Sequence, residues 1–542
     1  MQPSRAVGRI VSDPTAANPA PASVWRPLRT PIFRRLLMAD VVSDVGTFMQ
    51  SVGSAWLMVS LGAGPFYVAL TQTAATLPFF VLALPAGSIG DIADRRRLIL
   101  YCEIWMVGVA VALAVTTFAR VITPVLLLAL TFALSAGDAV ETPSWRAILP
   151  ELVPKDDLPA ASALNGIEFN IARAIGPALA GGLIAVAGVG AAFLVNVVSF
   201  LGVIVVVARW RRPVRARSTP AETLGGATIA AVRYVRNAPV VSAVMLRAGV
   251  VMFCASAVFA LLPTIARTLS ASAITYGILL GSFGAGAVGG AVVMEKARAR
   301  WSIETVVSTA IAILGVMIAL IAAAPNLPAL IVVMVIAGGA WITFISLASA
   351  LVQTLAPDWV RARVLSVFLL ITQGGLALGS IVWGALGSRV SVGVALVAAG
   401  AATLATTALR LIARLPEAVG DVSPWNHWRM PVVIKAAEPA LSEGPVLVTV
   451  EYHVLPADVD PFLEVMEEYG RIRRRDGASR WGIFRDVERP DRYLESFIVT
   501  SWAEHLRQHD RLTIADREVL QRVRELTQDE PIVRHLIHAE PG

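Results

Sequence analysis

Six acidic side chains stand in stretches too apolar to hold them cheaply. Asp40 and Asp44 lie in one run, Glu103 in a second, Asp138 and Glu141 at the end of a third, and Glu168 in a fourth. An ionisable group in such a setting is by default a functional candidate. Asp40 and Asp44 are four residues apart and share a helix face. Asn165 and Glu168 are three apart and share another, with Asn170 and Arg173 close behind. A carboxyl withdrawn from water exchanges its proton nearer to neutral pH than an exposed one. The chemistry on offer is proton coupling, with Asp44, Glu168 and Asp138 as its candidates. Permanent pairing of Glu168 with a basic neighbour, without titration, is the other reading. Asp40 sits near enough to the end of its run to be solvated.

These groups need elements that hold them in a membrane. The 542 residues are 56% hydrophobic and 16% charged, with mean hydropathy +0.68. Soluble domains are about 25% charged. The apolar residues gather in runs of about twenty, enough to cross a hydrocarbon core of about 30 Å as helices, which satisfy their own backbone. Twelve are expected: 36–61, 66–89, 98–118, 122–141, 159–186 and 189–209, then 240–266, 273–295, 303–324, 328–352, 362–388 and 391–412. The second six repeat the first at an offset of 203 residues. Leu152 and Pro154 meet Leu355 and Pro357, and Gly46, Gly176 and Gly181 meet Gly249, Gly379 and Gly384. A duplicated bundle suits transport, because two halves can rock about one site.

Arginine placement sets an expected orientation. Arg5, Arg9, Arg26, Arg29, Arg34 and Arg35 precede the first run; Arg95, Arg96 and Arg97 follow the second. More lie between the halves and after the eighth run, whereas the opposite loops offer Arg120, Arg267 and Arg389. Both termini of this membrane protein are expected in the cytoplasm. The net charge of +7 is thus a topology signal, and no nucleic-acid partner is expected. The first 32 residues lack a signal peptide's apolar core. Cys102 and Cys254 lie inside apolar runs and read as packed thiols.

The segment GSIGDIADRRR (87–97) resembles the loop signature of the major facilitator superfamily, with Gly87 as its first glycine, Asp91 as its acid and Arg95 and Arg96 as its basic pair. Ile92 and Asp94 depart from the pattern. GTFMQSVGSAWLM (46–58) and RAIGPALAGGL (173–183) resemble its enterobactin-exporter-like branch, the transmembrane secretion effectors. The resemblance covers about residues 30–415. It implies an all-α bundle of twelve transmembrane helices in two six-helix repeats and export of an amphipathic small molecule. It also implies a conformational latch of Gly87, Asp91, Arg95 and Arg96. In that fold the first and seventh spans face each other across the axis, so Asp44 is expected to pair with Arg247, or each charge is solvated or paired locally. Gly176, Pro177, Gly181 and Gly182 resemble an antiporter motif, or serve simple helix packing. The drug-antiporter branches usually carry an arginine in the fourth span, and 122–141 has none. Gln50, Trp56 and Gln72 are candidates to line a cavity, or for Trp56 to pack in the core.

After about residue 415 the composition turns soluble. The expected units are a tail (1–35), six helices (36–209), an inter-half loop (210–239), six helices (240–414), a linker (415–445) and an α+β domain (446–542). Strand, helix, two strands, one helix (502–526) and a last strand imply a ferredoxin-like fold. It resembles antibiotic-biosynthesis-monooxygenase-like domains, which implies a homodimer through this domain. His505 and His509 have a spacing that can hold a metal. Without a Cys or an H-E-x-x-H pattern they read as a solvated helix face, and no metal, cofactor or catalytic group is expected. ATP drive is disfavoured, since no G-x-x-x-x-G-K-[ST] occurs. The expected partners are a small-molecule substrate, protons and the lipid bilayer. An importer or facilitator of the same fold, and a membrane-anchored enzyme acting through the C-terminal domain, are the competing readings.

Overall fold

The computed structural model describes residues 24–92, 94–210, 224–416, 420–423, 425 and 439–538. Six long helices form the first half: α1 Pro31–Ser60, α2 Pro65–Ile92, α3 Arg95–Phe118, α4 Pro124–Leu152, α5 Leu158–Ala187 and α6 Val189–Arg209. A short helix, α7 Leu224–Asn237, precedes six more: α8 Pro239–Leu269, α9 Ala273–Arg298, α10 Ile303–Ala323, α11 Leu327–Leu355, α12 Arg361–Arg389 and α13 Val392–Ala405. Prolines at the first turn start α1, α4 and α8, where a missing N–H costs nothing. Thr123, Ser302, Asn326 and Ser391 cap the starts of α4, α10, α11 and α13 through their side chains.

Eleven helices among the described residues are long and apolar enough to cross a membrane. The exception among the expected twelve is α1, which carries Asp40, Asp44 and Gln50. Its polarity is satisfied inside the bundle: Asn196 Nδ2 of α6 donates to Gln50 Oε1 at 2.5 Å. Gln50 is buried in that bond in this structure. Trp56 is buried as well and stacks on Tyr276 of α9.

The sequence repeat becomes a pseudo-two-fold arrangement. A Cβ on Gly176 of α5 would meet Phe48 of α1, and one on Gly379 of α12 would meet the backbone of Phe253 on α8. Likewise Gly181 of α5 abuts Ala273 and Gly277 of α9, while Gly384 of α12 abuts Ala69 of α2. The latter two contacts join the halves. They lie in the C-terminal parts of α5 and α12 and the N-terminal parts of α9 and α2, the end of the bundle away from α7. Thr73 Oγ1 adds a bond from α2 to Ala377 O of α12 at 3.1 Å.

Past α13 and a 3-10 turn (Thr406–Leu411) comes an α+β unit: β1 Val446–His453, α14 Val459–Asp476, β2 Ser479–Arg485, β3 Arg492–Val499, α15 Trp502–Arg511, α16 Ile514–Glu525 and β4 Ile532–Ile537. The strands pair antiparallel in the order β2-β3-β1-β4, a ferredoxin-like topology. The single helix expected over 502–526 is two, because a capping box at Thr513 and Asp516 starts a new one. One sheet face packs Val446, Val448, Val450 and Phe497 against Phe462 and Met466 of α14. The other carries Phe484, Leu536 and Ile532, which are 57%, 51% and 48% exposed.

Candidate functional site

The acids of the first half converge. Asp40 and Asp44 of α1, Glu103 of α3, Asp138 and Glu141 of α4 and Glu168 of α5 are mutual electrostatic neighbours. The carboxyls of Asp44 and Glu168 are neighbours across α1 and α5. Two carboxyls so placed can bond each other only by sharing a proton. Glu103, Glu141 and Glu168 are buried, and each has one oxygen without a hydrogen-bond partner. Thr142 Oγ1 donates to Asp138 Oδ1 at 3.2 Å, and Trp145 Nε1 donates to Asp40 Oδ2 at 3.3 Å. A narrow cleft lined by Asp40, Trp145 and Asn165 reaches the cluster at Asp40. Asp40 is therefore part of the site, bonded to Trp145, as well as near the helix end.

Two guanidinium groups balance the six carboxyls only in part. Arg173 of α5 neighbours Asp44 and lies 4.8 Å from the Phe169 ring centroid. Arg146 neighbours Asp138. The expected fourth span ended at 141, but α4 continues to Leu152 through Pro143 and Pro150 and so includes Arg146.

Arg247 does not reach Asp44. It is 1% exposed in α8, and its Nη1 donates to Glu304 Oε1 and Oε2 of α10 at 2.9 and 2.7 Å. Ser308 Oγ and Leu415 N also donate to Glu304, at 2.7 and 2.9 Å. A buried guanidinium takes the carboxylate that offers both oxygens. Glu304 does so from the first turn of α10, within the same half. The expected cross-axis pair is thus replaced, in this structure, by a local pair at the exit of the last membrane helix.

The latch region is half visible. Gly87 and Asp91 fall in α2, but their side chains lie outside the described residues. Arg95 Nη1 donates to Glu151 Oε1 and Ala147 O of α4 at 3.0 and 3.1 Å. Arg96 donates to Val207 O and Ala208 O in the last turn of α6. Asp94, which departs from the family pattern, caps α3 by accepting from Arg97 N at 2.9 Å. In the antiporter-like motif, Gly176 and Gly181 make close helix contacts, Pro177 O approaches Gly277, and Gly182 faces open space.

His505 is not on a solvated face. It is 2% exposed, its ring lies 4.7 Å from His509 and 4.6 Å from His535, and it packs on Trp502. Among the described residues no three His, Cys, Asp or Glu side chains are placed to hold a metal. Burial, then neighbouring imidazoles, push His505 down to about 3; burial and then Arg473 push His509 down to about 4. Above the ordinary imidazole value of about 6.5, folded and unfolded rings are both neutral. Below it the unfolded chain takes up protons that the folded rings refuse, so stability falls with pH. Asp476 opposes this, because burial lifts its carboxyl to about 6 and the folded form takes its proton first. His535, beside His505, is also held low by burial and then Arg473, so three histidines outweigh one carboxyl and stability falls as pH drops below about 6. The protection factors of the β1 and β4 amides in the full chain, with the intrinsic slowing of exchange in acid divided out, should therefore fall on acidification. His505→Leu should flatten that dependence; an unchanged pH profile in the variant would refute the assignment.

A family model described as transmembrane secretion effector matches residues 22–541, through the C-terminal α+β unit as well as the helices. The enterobactin exporter EntS of Salmonella typhi is 26% identical over 372 residues, covering 67% of this chain and 87% of that protein. The staphyloferrin A transporter of Staphylococcus aureus (strain NCTC 8325 / PS 47) is 28% identical over 158 residues, 29% of this chain, and that alignment spans 40% of the transporter. A solved bacterial homologue of the human lysosomal transporter Spinster superposes with a TM-score of 0.57 at 16% identity, covering 72% of this chain and 96% of that one. The nucleoside transporter NupG gives 0.53 at 15% identity, with 71% and 100% covered. These structural likenesses are of fold.

Proposed function

Because this chain belongs to the transmembrane secretion effector family of major facilitator transporters, we propose that it exports an amphipathic small molecule of the siderophore, drug or secondary-metabolite kind, driven by protons. The observation that carries the reading is the Asp44–Glu168 carboxyl pair inside an acid-rich cluster. Six carboxyls and two guanidiniums in a bundle interior call for further positive charge, which protons supply. The cluster lies in the parts of α1, α3 and α5 nearer α7, and the glycine contacts between halves run from the other end, at Gly181 and Gly384, to mid-helix, at Gly284 and Gly374. A substrate path reaching the acids from the α7 side and opening to the other side after rocking is alternating access. The export sense draws on the named activity of the enterobactin exporter, carried to this chain as part of the proposal. The arginine asymmetry supports cytoplasmic termini in an inner membrane.

The test is accumulation of labelled lipophilic and siderophore-like compounds in cells expressing the chain, with and without a protonophore. Low accumulation that rises on uncoupling is expected. Accumulation that falls on uncoupling would mean import, and none for any compound would remove the substrate class. The latch adds its own prediction: Asp91→Asn cuts transport without lowering expression, and a fully active variant would sink that role.

The exposed sheet face supports a homodimer. Leu447 pairs with Ile498 and Leu536 across the strands, and Phe484 with Leu494, so the apolar side chains form one surface. Phe484→Glu is expected to convert dimer to monomer in detergent by light scattering; an unchanged mass would exclude this face.

A further inference from the structure

We infer that the C-terminal domain is a brace that docks on α7 and the α11–α12 loop and fixes that end of the second half as one rigid body. The contact is built from both sides. Arg233 Nη2 of α7 pairs with Glu504 Oε1 of α15 at 3.2 Å, and Arg233 Nε donates to Arg475 O of α14 at 3.4 Å. Arg511 Nη1 pairs with the same Glu504 Oε1 at 2.6 Å and also donates to Asp476 O. The Arg511 guanidinium lies 4.6 Å from the ring centroid of Trp359, in the α11–α12 loop. Tyr234 of α7 closes the third side, donating to Leu355 O at 2.9 Å with its ring edge-on to Trp359. Gly477 sits at the centre with φ of +130, and a Cβ there would meet Glu504, Arg511 and Arg233 at 3.0 to 3.3 Å. Carboxylates held this way, desolvated and shared between guanidiniums, exceed a surface ion pair in strength and in geometric definition.

The repeat gives this dock a meaning. At the 203 offset the α11–α12 loop matches the α4–α5 loop. That loop too is held by a segment outside the bundle: Arg26 Nε, in the 3-10 turn before α1, pairs with Asp157 Oδ1 at 3.1 Å. Each half thus has its equivalent loop gripped by an accessory segment, the first by the N-terminal turn and the second by the domain. Rocking of halves as rigid bodies demands loops that do not flex. The functional consequence rests on the alternating-access reading; the docking itself is testable without transport.

The experiment is a pair of spin-label distances on the full chain in lipid vesicles. Glu518→Cys with Asp358→Cys reports domain against second half; Asp156→Cys with Asp358→Cys reports half against half. Cys102 and Cys254 are buried and stay unlabelled. The first distance is expected to stay single and narrow on both sides of neutral pH, whatever separation the second reports. Arg233→Gln with Trp359→Ala, which alters only the transporter's side of the dock, should at least double its width and broaden the loop-to-loop distance too. If that pair disturbs folding, Arg511→Lys weakens the dock from the other side and should broaden both distances to a lesser degree. A domain distance that shifts in step with the halves, or that stays narrow in these variants, would overturn the brace. Failure here leaves the accumulation test untouched, so the two readings stand or fall separately.

Discussion

Glu168→Gln abolishes proton-driven export, down to the level of cells lacking the protein, while exchange of substrate against substrate persists. The isosteric amide keeps the buried volume and can donate to a neighbouring Asp44, but it can neither take nor give a proton. A carrier fixed in its proton-loaded form still reorients with cargo and so still exchanges; it cannot reset against a gradient. Asp44→Asn should behave in the same manner, since a proton shared by two carboxyls needs both of them. The double variant should be no worse than either single one, because residues that act as a unit are not additive. Asp138→Asn is expected to be milder, as Thr142 and Arg146 already answer that carboxyl. Export by Glu168→Gln that still collapses on uncoupling would move the coupling elsewhere. Loss of exchange together with export would make Glu168 a substrate or structural group instead.

The bundle was legible from the sequence because the signal is coarse. Runs of about twenty apolar residues admit few alternatives in lipid, and the repeat at 203 reappears as matched contacts of Gly176 with Gly379 and Gly181 with Gly384. Boundaries were less legible where helices outlast their apolar run. The extra turns of α4 carry Arg146, the basic neighbour of Asp138. Helix α7 is short and amphipathic, so composition filed it with the loop around it. Pairings were least legible. Symmetry placed Arg247 opposite Asp44, yet Glu304 lies 57 residues further on in another span, and only the fold brings the two within 2.7 Å. Spacing of four put His505 and His509 on one face but did not say which way the face turns. Here it turns inward, toward His535 and Trp502. The T-x-x-D pattern of Thr513 and Asp516 was a readable capping box inside an unbroken polar helix.

Two glycines on α9 separate motion from stability. A Cβ on Gly286 would lie 1.9 Å from Val335 O, and one on Gly338 of α11 would lie 1.9 Å from Phe283 O. Both helices belong to the second half and have no way to part. Gly286→Ala should cost about 1–3 kcal/mol or more through overpacking, read as a lower thermal midpoint in detergent. Gly277, earlier on the same helix, faces the other half: its Cβ would meet Pro177 O at 2.7 Å and Gly181 Cα at 2.9 Å. The strain there is relieved by rocking, since the halves separate at that end in the alternate state. Each 1.4 kcal/mol of such strain shifts the balance of states about tenfold. Gly277→Ala should therefore leave the thermal midpoint near that of the parent. It should shift the Asp156–Asp358 distance toward its minor population and lower transport severalfold. A midpoint that falls as far as in Gly286→Ala would mean that the α5–α9 contact is static, and the rocking axis would have to lie elsewhere.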